Sequence, residues 1–363
     1  MYRAEAIISR KKLIHNYNYI RNYISKDIAI MPVVKANAYG HDDVYICKVL
    51  SELNVDGFCV ALLDEVINLR KNKINKKILH MGSFEHKFTK ILIDPNLLLT
   101  INLNKDIEFL EKIGKKYNHI FKAHIKIDTG MVRLGILEKD ISKLCKLLSE
   151  CKYVKIDGIY TQLTSADESN QKHTDLQREK FIDISSFVEK KIGKIKYKHI
   201  TPSAGMLKDK KNHFDLVRPG ISLYGISNVQ EPHSLKPVMM LKAPVLLIKN
   251  IKKSTTIGYN KTFKSSKNMK IAILQIGYAD AIPLEFSNKG YVEYKNRKLN
   301  ILGKVSMDLL CVDVSDININ KNEKVIVFGG ELTKLEDITK NMISSPYSIL
   351  TNITKRVKRI YEN

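Results

Sequence analysis

In MPVVKANAYGHD (31–42) an apolar run ends at Lys35 and gives way to turn-forming residues. A lysine delivered to a protein mouth by a strand end can act as a base or nucleophile once burial lowers its pKa. In FKAHIKIDTGMVRLG (121–135), His124, Lys126 and Asp128 alternate with Ala123, Ile125 and Ile127, so the three polar groups share one strand face. If the apolar face meets helices, the polar groups point inward, where a lysine must pair or lose its charge. Arg133 follows the Asp128-Thr129-Gly130 turn and could reach the same mouth. In DLVRPGISLYG (215–225) a further strand ends at Arg218, and the turn through Pro219, Gly220 and Ile221 can present backbone N–H groups to a phosphate. Ser203, in HITPSAGML at the end of the preceding strand, could donate its hydroxyl to the same anion.

These residues need a scaffold that gathers strand ends. From residue 28 to about 220, the runs IAIMPVV, GFCVAL, KKILHM, LLLTI, AHIKID, VKIDGIYT, KYKHIT and FDLVR alternate with segments of helical period at 43–53, 63–71, 105–117, 138–151 and 171–191. Eight strands, most followed by a helix, predict an N-terminal (β/α)8 TIM-type barrel, whose active site sits at the C-terminal mouth. After about residue 235, VMMLKAPVLLI, KIAILQIGY, YVEY, LNILGKV, LLCVDV and EKVIVFGG read as strands of a mostly-β domain. The expected division is 1–234 for the barrel and 235–363 for the β domain, joined near SNVQEPHSLKP (227–237).

The 363-residue chain is 44% hydrophobic and 27% charged, which suits a folded two-domain protein rather than a disordered one. It has no apolar run of the ~20 residues that span a bilayer and no apolar leader, so a cytoplasmic protein without a membrane role is expected. Five scattered cysteines without CxxC spacing argue against a disulfide framework or a zinc site, and no metal is expected. The net charge of +23 comes mostly from dispersed lysines with no arginine-rich arm, so no specific nucleic-acid binding is expected, though anionic ligands benefit from the field.

The segments VVKANAYGH, KIDTGMVRLG, YTQLTSADE, DLVRPGISLYG, IGYN, GYAD, GKVSMDLLCVDV and RVKR, in this order over nearly the whole chain, resemble the alanine racemases, pyridoxal 5'-phosphate enzymes built from a barrel and a β domain. The resemblance implies that Lys35 carries the cofactor as a Schiff base and then serves as one of two acid/base groups. Tyr39, Ser203, Gly220 and Ile221 would hold the phosphate side, and Arg218 would face the pyridine nitrogen. Arg133 would contact cofactor and substrate beside Lys126, a position often N-carbamylated in this family. Tyr259 would be the second acid/base, contributed by the other subunit of a homodimer with shared sites. Met307 would offer its backbone N–H to the substrate carboxylate, and Tyr278 would line the entrance. The implied function is interconversion of L- and D-alanine, supplying D-alanine for peptidoglycan.

The chain departs from the family pattern at several points. Gln162 stands where histidine commonly packs on the cofactor ring, and Pro202 replaces an asparagine before Ser203. Ala281, Leu284 and Lys358 also differ from the usual residues, and Lys355 lies where some members supply a phosphate contact. A serine or broad-specificity racemase is the nearest alternative. A decarboxylase of basic amino acids or a PLP-carrier protein are alternatives from other classes.

Overall fold

A computed structural model describes residues 3–84, 89–227, 229 and 234–363. Residues 228 and 230–233 of the expected junction lie outside the described residues. The first strand, β1 (Glu5–Ser9), precedes the barrel strands β2 (Ala29–Ile30), β3 (Phe58–Val60), β4 (Ile78–His80), β5 (Leu97–Ile101), β6 (Phe121–Lys126), β7 (Val154–Tyr160), β8 (Tyr197–His199) and β9 (Leu216–Val217). Strands β3 to β8 form a parallel sheet in sequence order, and β2 pairs in parallel with β9. The ring closes through the Val33–Cys59 bridge on one side and the Asp215 N–H to Lys198 carbonyl bond of 3.0 Å on the other. This is the expected eight-stranded barrel.

Alternation explains what the barrel interior contains. His124 and Lys126 of β6 stand in register with Gly158 and Tyr160 of β7, and Tyr160 is in register with His199 of β8. The outer faces are covered by amphipathic helices. Ile141, Leu144, Cys145 and Leu148 bury one stripe of the helix Ile141–Glu150. Ile107 and Leu110 do the same for Asn104–Tyr117, whose chain then turns through Asn118 in the left-handed region. Fully buried rings such as Phe58, Phe121 and Phe181 each contribute about 2–3 kcal/mol by leaving water.

The second part is built from β10 (Met239–Ile251), β11 (Thr256–Ile257), β12 (Phe263–Lys264), β13 (Met269–Leu274), β14 (Tyr291–Tyr294), β15 (Arg297–Leu302), β16 (Leu310–Asp313), β17 (Lys324–Phe328) and β18 (Lys358–Glu362). Eight strands form one sheet in the order β13-β16-β15-β14-β17-β10-β1-β18, with β10 also pairing to β13. One assignment from sequence needs correction here. Residues 5–9, placed with the barrel, pair antiparallel with β10 and parallel with β18, so the chain starts in the β domain before it enters the barrel. Short AEAIIS carries no periodicity that could reveal a partner more than 230 residues away.

Candidate active site

Lys35 opens a turn that L-residues rarely make. Ala36, Asn37, Ala38 and Tyr39 all have φ between 51° and 55°, and Gly40 follows at 79°. A left-handed residue with a side chain costs about 1–2 kcal/mol, so this run must be held from outside. Its own bonds are Ala38 N–H to Val34 O at 2.8 Å and Gly40 N–H to Ala36 O at 3.1 Å. Glu65 Oε1 accepts from Ala36 N–H at 2.6 Å, and Asn37 Oδ1 accepts from Asp43 N–H at 3.0 Å. His41, held neutral by burial with its pKa lowered to about 4, bonds the Tyr39 carbonyl through Nδ1 at 2.9 Å. The product is a rigid corner that faces Lys35 and Tyr39 into one cavity at the strand C-terminal ends of the barrel.

That cavity has a volume of about 830 Å³. It brings together Lys35, Tyr39, Lys126, Arg133, Gln162, Ser203, Arg218, Gly220 and Ile221, nine residues singled out in the sequence. Asp128, on the same strand face as Lys126, is used differently. Its Oδ1 accepts from the Gly130 and Val132 N–H groups at 2.9 and 3.1 Å and so shapes the turn toward Arg133.

The electrostatics are those of a cationic cup. Burial lowers the Lys35 pKa, Arg133 lowers it further against the opposing pull of Glu65, and Arg218 adds to the lowering. Lys126 is pushed down to about 8, by burial first and then by Arg218, Arg133 and Lys35. Because this folded value lies below the ordinary one, deprotonation of Lys126 favours the folded state, and its contribution to stability rises with pH between about 8 and the ordinary lysine value. Four cationic side chains around one cavity favour a ligand that carries more than one negative charge.

Arg218 is held through its two Nη groups, while its buried Nε has no hydrogen-bond partner among the described residues. Its Nη2 donates to the Thr161 carbonyl at 2.8 Å and its Nη1 to Gln162 Oε1 at 3.1 Å. The guanidinium carbon lies 5.0 Å from the centre of the Tyr160 ring, and the Lys126 ammonium lies 5.6 Å from the same ring. Behind Tyr160, His199 stacks at 4.7 Å with an interplanar angle of 6°, and it shares a 2.9 Å hydrogen bond with His124. Burial holds His124 down to about 3 and His199 well below its ordinary value, so this pair supports the cationic cup without adding charge.

On the opposite wall, Ser203 Oγ accepts the Gly220 and Ser222 N–H groups at 2.9 and 3.2 Å, which leaves the hydroxyl hydrogen as the group it can offer a ligand. A Cβ at Gly220 would stand 2.7 Å from the Tyr39 hydroxyl, so any side chain there would displace it. Pro202 occupies the extended position before the helix Ser203–Lys208, where a missing N–H costs no helical bond.

Tyr259, Tyr278 and Met307 do not line the cavity of their own chain. They are 69%, 44% and 52% exposed and belong to neighbouring loops of the β domain. Tyr278 and Ala279 donate to the carbonyls of Ser306 and Met307, both at 3.0 Å, and Gly258 packs on Lys304. Arg356 ties these loops together through Asp308 and Asp280. Several cavity residues were not singled out in the sequence, among them Tyr160 in the barrel and two from the other sheet's side. Tyr347 and Thr351, on the helix Pro346–Thr351, reach the cavity from the β domain. Ser345 followed by Pro346 marks a helix start, but nothing local indicates which cavity the helix meets.

The barrel and the β domain match, over residues 8–228 and 238–361, the models for the alanine racemase N-terminal and C-terminal domains. Fold and cavity therefore define a two-domain isomerase of amino acids. Alanine racemase of Halothermothrix orenii is 32% identical over 355 residues, covering 96% of this chain and 94% of its own. The solved Bartonella henselae alanine racemase, described with covalently bound pyridoxal phosphate, superimposes with a TM-score of 0.90 at 30% identity, both chains covered completely (100%). That of Bacillus anthracis, described with bound L-Ala-P, gives 0.91 at 29% identity over 100% of this chain and 96% of its own. The chain belongs to the alanine racemase family.

Among the described residues, no helix is long and apolar enough to cross a membrane, and no group of three or more His, Cys, Asp or Glu side chains could hold a metal ion. The five cysteines are free thiols.

Proposed function

We propose that the chain interconverts L- and D-alanine with pyridoxal 5'-phosphate by a two-base mechanism and so supplies D-alanine for peptidoglycan. The observation that carries this reading is the pairing, in one cavity, of a half-buried amine of lowered pKa with a separate wall that offers the Ser203 and Tyr39 hydroxyls. The cup fits the cofactor on its own geometry. Gly220 leaves space that a Cβ would fill, Ser203 and Tyr39 offer hydroxyls on that side, and Arg218 lies across the floor. When bound through Lys35, pyridoxal phosphate supplies an electron sink that makes the substrate Cα–H acidic.

The residues of the chain do the rest. Lys35 Nζ, in its uncharged form, would act as the base at one face of the substrate Cα. Tyr259 of the partner subunit meets the opposite face, because a single group working from one side returns the proton to where it came from. Arg218 would face the ring nitrogen of the bound cofactor and would not give it a proton, since a guanidinium has none to release near neutral pH. That keeps the electron sink weak and restrains side reactions. Arg133 binds the substrate carboxylate, which the Met307 N–H of the partner subunit would also reach, with Tyr278 at the entrance. Gln162 orients Arg218 by a hydrogen bond rather than by stacking.

Lys126, pushed down to about 8, is roughly one-tenth uncharged at pH 7, far more than an ordinary lysine, and the uncharged amine is the form that captures carbon dioxide. A carbamate there would replace one of the clustered cations by an anion opposite Arg133. Protein equilibrated with ¹³C-bicarbonate is expected to give a carbamate resonance that is lost in Lys126→Arg; an unchanged spectrum would remove this modification from the account.

An assay of D-enantiomer formation from a panel of L-amino acids tests the function. Alanine is expected to be turned over fastest, with serine at least ~10-fold slower because one added hydroxyl must find a partner in the pocket. Serine as the fastest substrate would move the chain to the broad-specificity alternative, and release of carbon dioxide from lysine or ornithine would move it to another class.

A further inference from the structure

Arg359, the last residue of the RVKR motif, lies in β18 of the β domain and has no place in the chemistry above. All five of its N–H donors are used. Nε and Nη2 donate to the Gly40 carbonyl at 3.2 and 3.1 Å, closing the left-handed run that begins after Lys35. Nη2 also donates to Ile353 O at 2.7 Å, and Nη1 donates to Thr354 O at 2.6 Å and Val357 O at 2.9 Å. The segment it gathers directly follows the helix that carries Tyr347 and Thr351 into the cavity. One guanidinium therefore joins the lysine corner of the barrel to the cavity helix of the β domain.

Two further contacts close the same joint. A Cβ at Gly40 would stand 2.2 Å from the Leu350 carbonyl, so corner and helix meet backbone to backbone. Tyr361 donates its hydroxyl to Asp42 Oδ2 at 2.5 Å and stacks on Tyr45 at 4.0 Å, holding the exit of the corner. Asp42 Oδ1 in turn caps the following helix by accepting from Tyr45 N–H at 3.0 Å.

We infer that Arg359 is a positioning residue: it holds the left-handed corner in the form that aims Lys35 and Tyr39 at the cofactor, and it sets their placement against Tyr347. A fork of five donors on four carbonyls is a task that only arginine can do; lysine has three donors at one point. The same strained corner, released, would relax toward ordinary φ values and turn Lys35 and Tyr39 away.

The inference rests on the cofactor reading proposed above, and the test separates the two. Arg70 provides the control, since its guanidinium also gathers carbonyls, of Ile74, Lys76 and Asn96, and pairs with Asp94, but near Ile78, at the start of β4 and the opposite end of the barrel. Arg359→Met and Arg70→Met are compared with the unaltered chain for hydrogen exchange of the amides of residues 36–42 without cofactor, and for the dissociation constant of pyridoxal phosphate by absorbance titration. Arg359→Met is expected to speed exchange in that segment and weaken cofactor binding, each by at least ~10-fold, while Arg70→Met lowers thermal stability and changes neither. The absence of either change in Arg359→Met, or the same two changes in Arg70→Met, overturns the inference. Should Arg359→Met not fold, Tyr361→Phe is expected to change both readouts in the same direction by a few-fold, and wild-type values for it would overturn the inference equally. If the unaltered chain binds no pyridoxal phosphate, the cofactor reading itself has failed.

Discussion

Lys35→Ala is expected to lose racemisation by at least ~10³-fold, the scale of removing a positioned acid/base, and to lose covalent retention of pyridoxal phosphate as well. The expectation is strong because two roles fall on one nitrogen. Among the described residues lining the cavity, Lys126 is the only other lysine, and its pKa is also lowered, to about 8. It stands on the floor of the cup, above the Tyr160 ring, whereas Lys35 stands at the head of the left-handed corner beside Tyr39. Lys126 should therefore not stand in for Lys35. Steady-state turnover of L- and D-alanine checks this, and a Lys35→Ala rate within ~10-fold of the unaltered chain would mean that the corner positions something other than the reacting amine.

The second large effect concerns Tyr259. In its own chain this residue is 69% exposed and outside the cavity, on loops that also carry Tyr278 and Met307. An exposed aromatic patch remote from the site of its own chain is what a shared active site requires of each subunit. Tyr259→Phe removes only the hydroxyl and is expected to reduce turnover by ~10²–10⁴-fold. Mixing it with Lys35→Ala gives the decisive comparison. In a mixed dimer one site collects both defects and the other has neither, so subunit exchange is expected to restore about one quarter of normal activity from two nearly inactive proteins. No recovery after demonstrated exchange would place Lys35 and its opposing base in the same chain.

Much of the site was legible because barrel strands have a period of two and deliver their ends to one mouth. The face of β6 that carries Lys126 could be read from alternation, and the placement of Lys35, Ser203 and Arg218 near the mouth from the apolar runs that precede them. The resemblance then gave roles to positions such as Tyr39 and Gly220, whose 2.7 Å approach explains why no side chain fits there. What stayed hidden depends on long-range contacts. Glu5–Ser9 joins β10 and β18, Tyr347 enters the barrel mouth from the β domain, and Arg359 closes on Gly40 across 319 residues of sequence. The left-handed run was hidden for another reason. Ala36 and Ala38 have no intrinsic preference for positive φ, so only their surroundings impose it.

The most direct measurement is reduction of the yellow, cofactor-bound protein with borohydride, followed by proteolysis and mass analysis of the labelled peptide. One phosphopyridoxyl group is expected, on Lys35. A label on Lys126 or another lysine, or a protein that never takes up the cofactor, would contradict it.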